Sequence, residues 1–191
     1  MTTTKAVAPW AERLIAEFTA ADEWAKRLVR PLNPAQLNWR PAAGEWSVGQ
    51  CVEHLAAASE VYLPPIIASL AGQPRLPTPV ADIRPGWFGR WFIRNFAAPV
   101  VRGRHWAPRK IKPSDRRDID ARVLDRFLAG NEQAREVVRL AQDYDVNRIR
   151  FKNPFVWGIR FTAGTGLEIL SQHERRHLHQ AERVRAVRGF P

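Results

Sequence analysis

Three of the five histidines of this chain stand close together in His173-Glu174-Arg175-Arg176-His177-Leu178-His179, and a fourth, His54, follows Glu53 far upstream. Imidazoles one helical turn apart can hold a single divalent ion, as in other His-x-x-x-His helices, and a third ligand from elsewhere completes such a site. On a helix starting near Leu167, His173 and His177 fall on or beside the apolar stripe formed by Leu170, Leu178, Ala181 and Val184, whereas His179 falls opposite it. His179 therefore reads as a solvated residue. His54 lies on the flank of another stripe, formed by Val48, Cys51, Leu55, Tyr62 and Ile66, which makes it the leading candidate for the third ligand.

Glu174 falls within the stripe of its own helix, where an isolated carboxylate is costly unless paired. It could orient a ligand imidazole, act as a general base, or pair with a buried arginine to hold the helices together. Cys51, the single cysteine, belongs to an apolar stripe and reads as a small hydrophobe.

Four segments with helical periodicity must position these groups. The first carries Trp10, Leu14, Phe18, Trp24 and Leu28 and ends near Arg30-Pro31, leaving Pro31 to Gly44 as a connecting loop. The second is predicted from Ser47, which with Gln50 fits a capping box, to about Leu70, with a kink or early end at Pro64-Pro65. The third is predicted from about Asp118 to Gln142 on the stripe of Ile119, Val123, Leu124, Phe127, Leu128, Ala134, Val137, Val138 and Ala141. The fourth is expected to begin after Gly164-Thr165-Gly166, capped by Thr165 and Glu168, and to end before Gly189. Phe155 to Phe161 before it is strand-like, but the glycines lack the rest of a nucleotide-binding loop, and helix capping accounts for them better. Four one-sided helices bury themselves most simply as an all-α four-helix bundle.

The 191 residues carry a net charge of +11 and read as one domain, 1–191, with a covering insertion at 72–117. A chain of this length folds without disulfides or a structural metal, so a bound metal would be functional. One cysteine excludes an intramolecular disulfide, a Cys-rich zinc ribbon and a CxxC redox pair, and suits a reducing cytoplasm. Residues 1–10 do not read as a secretory signal, and the apolar run 55–72 carries Glu60 and two prolines, unlike a membrane span.

Residues 84–117 hold ten Arg and Lys against Asp115 alone, interleaved with Trp87, Phe88, Trp91, Phe92, Phe96 and Trp106. This basic amphipathic element could pack its aromatics over the bundle, dock on an anionic membrane surface, or contact phosphates of nucleic acid. Arg90, Arg94, Arg102 and Arg104 are its candidate anion-binding residues, either for an acidic substrate or for a non-catalytic basic binding protein.

Taken together, Leu32-Asn33 through Trp39-Arg40-Pro41, the run Gly44-Glu45-Trp46-Ser47-Val48-Gly49-Gln50-Cys51-Val52-Glu53-His54-Leu55, and His173 to Gln180 resemble the DinB/YfiT-like superfamily of small metal-binding helical proteins. The resemblance implies a four-helix bundle, a three-histidine site at His54, His173 and His177 with zinc, nickel or iron, and a homodimer. It also implies either a metal-dependent S-transferase using a low-molecular-weight thiol as cosubstrate or a hydrolase acting on a small molecule. Three neutral imidazoles leave the full charge on the ion, which suits activation of either a thiolate or a water.

Overall fold

The structure, a computed structural model, describes residues 7–97 and 107–191. Four long helices dominate it: α1 (Pro9–Val29), α3 (Val48–Leu70), α5 (Val123–Ala141) and α6 (Ala163–Ala186). They are joined by a short α2 (Pro34–Asn38), by α4 (Trp87–Phe92) running into a π-helical turn (Ile93–Ala97), and by the strands β1 (Arg150–Lys152) and β2 (Arg160–Thr162). Helices α1 and α3 each pack against both α5 and α6, while the diagonal pairs barely touch. That arrangement is an all-α bundle, as the periodicity requires.

Each start and stop has a local cause. Pro9 opens α1, where its missing N–H costs nothing, and Trp10, Ala11, Leu14, Phe18, Ala21, Ala25 and Leu28 form its buried face. The expected loop 31–44 instead contains α2, nucleated by a reciprocal capping box between Asn33 and Gln36 and anchored by buried Leu37. Ser47 and Gln50 cap α3 as the sequence predicts. That helix does not stop at Pro64-Pro65: neither proline is buried, whereas Leu63, Ile66 and Leu70 are, so packing on one face holds the helix where two backbone bonds are missing on the other.

Helix α5 starts five residues later than expected. Asn38 takes both backbone groups of Ile119, accepting from its N–H at 2.9 Å and donating to its carbonyl at 3.0 Å, which draws Ile119 out of helical geometry. Of the strand-like run, only Arg160 and Phe161 join a ladder; β1 and β2 pair antiparallel with Phe151 opposite Phe161, and both rings are buried. The residues between form a turn in which Asn153 Oδ1 accepts from the N–H groups of Phe155 and Val156.

The start of α6 corrects the sequence expectation. Thr162, not Thr165, is the cap, and Gly164 and Gly166 lie inside the first turn. Their role is close packing: a Cβ on Gly166 would come within 2.6 Å of the Phe151 ring and 3.0 Å of Ile66 Cδ1.

The buried apolar residues form two clusters. One gathers Leu14, Phe18, Leu63, Ile66, Val138, Phe151, Phe161 and Leu167, and the other gathers Leu28, Val52, Leu55, Phe127, Leu178 and Val184. Cys51 is fully buried in the second, and burial pushes its thiol pKa well up, so it packs as a hydrophobe. Between the clusters lie buried polar side chains: Asp22 on α1, His54 and Ser59 on α3, Asn131 on α5, and Ser171, Glu174 and His177 on α6. Among the described residues, no helix is long and apolar enough to cross a membrane.

Gly166→Ala is expected to lower stability by about 1–3 kcal/mol through overpacking against Phe151, although alanine is the better helix former by about 1 kcal/mol. The urea midpoint of the variant reads this, and an unchanged or raised midpoint would show that the Phe151 ring has room to move.

Candidate metal centre

The three histidines predicted as ligands converge. His54 from α3 and His173 and His177 from α6 place ligand nitrogens within 4.8 Å of one another. Both helices are needed, because His173 and His177 are successive inward positions of α6 and His54 faces them from the first turns of α3. The ring centroids of His54 and His177 are 4.4 Å apart, and those of His173 and His177 are 4.5 Å apart. Trp46 covers the group, stacked on His177 at 5.5 Å and tilted on His54 at 4.9 Å.

The outer ring nitrogens fix which inner ones are free. His54 Nδ1 donates to the Ile111 carbonyl at 2.6 Å, and His177 Nδ1 donates to Gln180 Oε1 at 2.8 Å. Each bond leaves the Nε2 lone pair turned toward the cluster, the arrangement of a ligating imidazole with its outer support. His54 Nε2 and His173 Nε2 lie 2.9 Å apart. Two lone pairs cannot face each other at that distance, so a proton or a cation must lie between them.

Burial, above all, lowers the pKa of all three rings: that of His54 is pushed down to about 4 against the pull of the Ile111 bond, and those of His173 and His177 fall well below the usual value. The charge of Arg176 lowers each of them further. At neutral pH the rings are uncharged, the form that binds a metal. The residues present therefore fit a divalent ion.

The cluster opens onto a cavity of about 300 Å³. Its walls are mainly apolar, with Ala58, Phe92, Phe96, Phe155, Ile169 and Leu170 among them. Part comes from the basic insertion: α4 and the π-turn supply Phe92, Phe96 and Ala97, and the returning chain supplies Ala107, Pro108 and Ile111. The aromatics of the insertion divide: Phe88 and Phe92 rest on the bundle, whereas Trp87 and Trp91 stay exposed. Phe88 stacks on Phe161 at 5.7 Å, Phe92 meets the same ring at 5.1 Å, and Gly89 sits so close to Thr165 that a Cβ would come within 2.9 Å of its methyl. Ser114 ties the returning strand to α3, donating from its N–H and Oγ to Glu53 and accepting from Gln50 Nε2.

The other sequence candidates lie elsewhere. His179 meets the edge of Trp24 and sits 3.7 Å from Glu182, away from the cluster. Arg90 and Arg94 are exposed and do not line the cavity, and Arg102 and Arg104 lie outside the described residues. Glu174 does not line the cavity either. Its Oε2 accepts from Asn131 Nδ2 at 3.2 Å, and Asn131 also donates to Asp22, which pairs with Arg135 at 2.7 Å. Of the readings open for Glu174, this placement matches the one that ties helices together, with Asn131 rather than an arginine as its direct partner. Burial, then the nearby Asp22, holds its carboxyl pKa well above the usual range.

Two residues that the sequence reading passed over line the cavity with polar groups. Arg176 is one; its helical phase, about 60° from His173, was the available signal. Asn153 is the other, and no sequence pattern marked it.

The raised Glu174 pKa has a definite sign. A carboxyl that holds its proton more tightly when folded contributes stability below its unfolded pKa and loses it as pH rises toward the folded value. Glu174→Gln, which cannot titrate, is expected to melt increasingly above the wild type as pH goes from 5 to 8 while retaining the same metal content. Thermal melts across that range check it, and a constant difference would overturn the assignment.

A family model of the DinB superfamily matches residues 17–181, which spans every element from α1 to most of α6. No curated protein and no solved structure matches the chain. The matched length, the helical bundle and the three converging histidines agree with one another, and the chain belongs to the DinB superfamily.

Proposed function

We propose that the protein is a metal-dependent enzyme in which His54, His173 and His177 hold one divalent ion, and that its reaction is transfer of a low-molecular-weight thiol to a small electrophile. The observation that carries this reading is the convergence of three neutral imidazoles, two with their outer nitrogens already bonded, on the wall of an apolar cavity. A zinc, nickel or iron ion bound there supplies a Lewis acid that lowers the pKa of a thiol or a water.

The chain's own groups then set the conditions. His54 is held in place from outside by Ile111, and His177 by Gln180, so neither ring has to reorient on loading. Among the described residues no carboxylate lines the cavity, and Glu174 is bonded to Asn131 outside it. A hydrolase commonly uses a side-chain base beside its ion, whereas a thiolate needs none once formed, which favours thiol transfer over hydrolysis.

Protein purified without tag or chelator is expected to carry about one equivalent of a divalent metal by elemental mass spectrometry. His173→Ala should lose it and His179→Ala should keep it. Wild-type protein that neither retains a metal nor rebinds added zinc would overturn the reading.

One observation favours a second role for the surface. Trp157 is 99% exposed in the β1–β2 turn and Trp87 is 74% exposed on α4, and Arg84, Arg90 and Arg94 are exposed in the same insertion. Large exposed tryptophans with basic neighbours suit docking on an anionic membrane surface. Co-sedimentation with phosphatidylglycerol vesicles should deplete the wild type and spare the Trp87→Ala/Trp157→Ala double variant. Equal sedimentation of the two proteins, or none, would remove this role.

A further inference from the structure

We propose that Arg176 is the anion seat of the cavity and that the molecule it receives is a monocarboxylate carried on an apolar, aromatic-sized body. As a statement about substrate, this rests on the enzyme reading above; as a statement about binding, it rests on the cavity alone.

Arg176 lines the cavity between the two α6 histidines in sequence, and its charge acts on all three imidazoles. It is partly buried, yet among the described residues no carboxylate or carbonyl pairs with it. The other half-buried arginines of the described residues are all bonded: Arg40 donates to the Asp115 and Arg116 carbonyls, Arg135 pairs with Asp22, and Arg185 donates to the Arg27 carbonyl. A guanidinium cannot shed its charge, so partial burial without a partner is a standing cost that an incoming anion would remove.

The rest of the wall has the same polarity. Asn153 is buried, and its Oδ1 already accepts two backbone N–H groups, which fixes the orientation of the amide and leaves Nδ2 facing no acceptor. Tyr62 Oη is likewise buried without a partner. Both residues line the cavity, and burial pushes the Tyr62 pKa well up, so the hydroxyl keeps its proton to donate. Apart from the three histidines, the unpartnered polar groups of the wall are thus a cation and two hydrogen-bond donors, and among the described residues no acidic side chain lines it.

An ion on the histidines would add two further positive charges beside Arg176. Such a wall repels cations and leaves neutral ligands with an unneutralised guanidinium, whereas the planar guanidinium fork matches a carboxylate. Apolar surfaces from Phe92, Phe96, Phe155 and Ile169 would take the body, and Tyr62, about two helical turns along α3 from His54, marks the far end.

The test uses 2-naphthoate and its uncharged isostere 2-naphthamide, titrated calorimetrically into metal-free and zinc-loaded protein. Wild-type protein in both forms should bind the acid about tenfold or more tightly than the amide. Arg176→Gln should lose that preference while keeping its melting temperature and zinc content, and the exposed-site control Arg94→Gln should keep the preference. Equal binding of acid and amide by the wild type, or an unchanged preference in Arg176→Gln, would overturn the proposal. Should Arg176→Gln fail to fold, Arg176→Lys serves instead, with a weakened preference expected because the fork is lost; full retention there would count against the assignment. Zinc content is read on the same samples, so a protein that holds no metal yet prefers the acid refutes the enzyme reading and leaves Arg176 as an anion seat.

Discussion

Everything in this bundle is arranged around a layer of polar side chains buried at mid-height between two apolar clusters. Taking such groups out of water costs several kcal/mol apiece unless each finds a partner. The chain meets that cost differently on the two sides of α6. Toward α1 and α5 it builds the chain Arg135–Asp22–Asn131–Glu174. Toward α3 it gathers three imidazoles, two of whose inner nitrogens lie 2.9 Å apart and share a proton or a cation. The first solution closes the bundle, and the second opens it to a ligand.

The two solutions constrain each other because one helix serves both. His173, Glu174 and His177 occupy a little over one turn of α6, so the histidines cannot turn toward the cavity unless the carboxyl turns toward Asn131. The close approach of α6 to β1 and α3 at Gly166 fixes the helix along its axis. The insertion completes the cavity by laying Phe92 and Phe96 over the groove and bringing Ile111 to His54.

Much of this was legible in the sequence. The stripes of α1, α3, α5 and α6 identified the bundle, the Ser47–Gln50 pair located the start of α3, and helical phase separated His173 and His177 from His179. What escaped depended on contacts distant in sequence. The late start of α5 follows from Asn38 capturing Ile119, 81 residues away, and no local propensity reports it. Gly164 and Gly166 looked like a helix entry because glycine signals a turn and a tight contact equally well. Persistence of α3 through two prolines depends on which face is buried. Glu174 was recognisable as a buried acid, but its partners on α1 and α5 were not. Arg176 was hidden by its neighbours, since one of several arginines in a basic helix stands out only when the others are seen to be exposed or, as Arg185 is, bonded to a backbone carbonyl.

The bond from His54 to the Ile111 carbonyl makes the covering segment and the ligand cluster parts of a single equilibrium. If residues 107–114 lifted off α3, His54 would lose its outer partner, and by linkage an ion held by His54 would resist that opening to the same degree. Affinity for the ion and ease of opening would then trade against each other through one hydrogen bond. Sequence change in residues 107–114, distant along the chain from all three ligands, would shift the chain along that trade-off without altering a ligand.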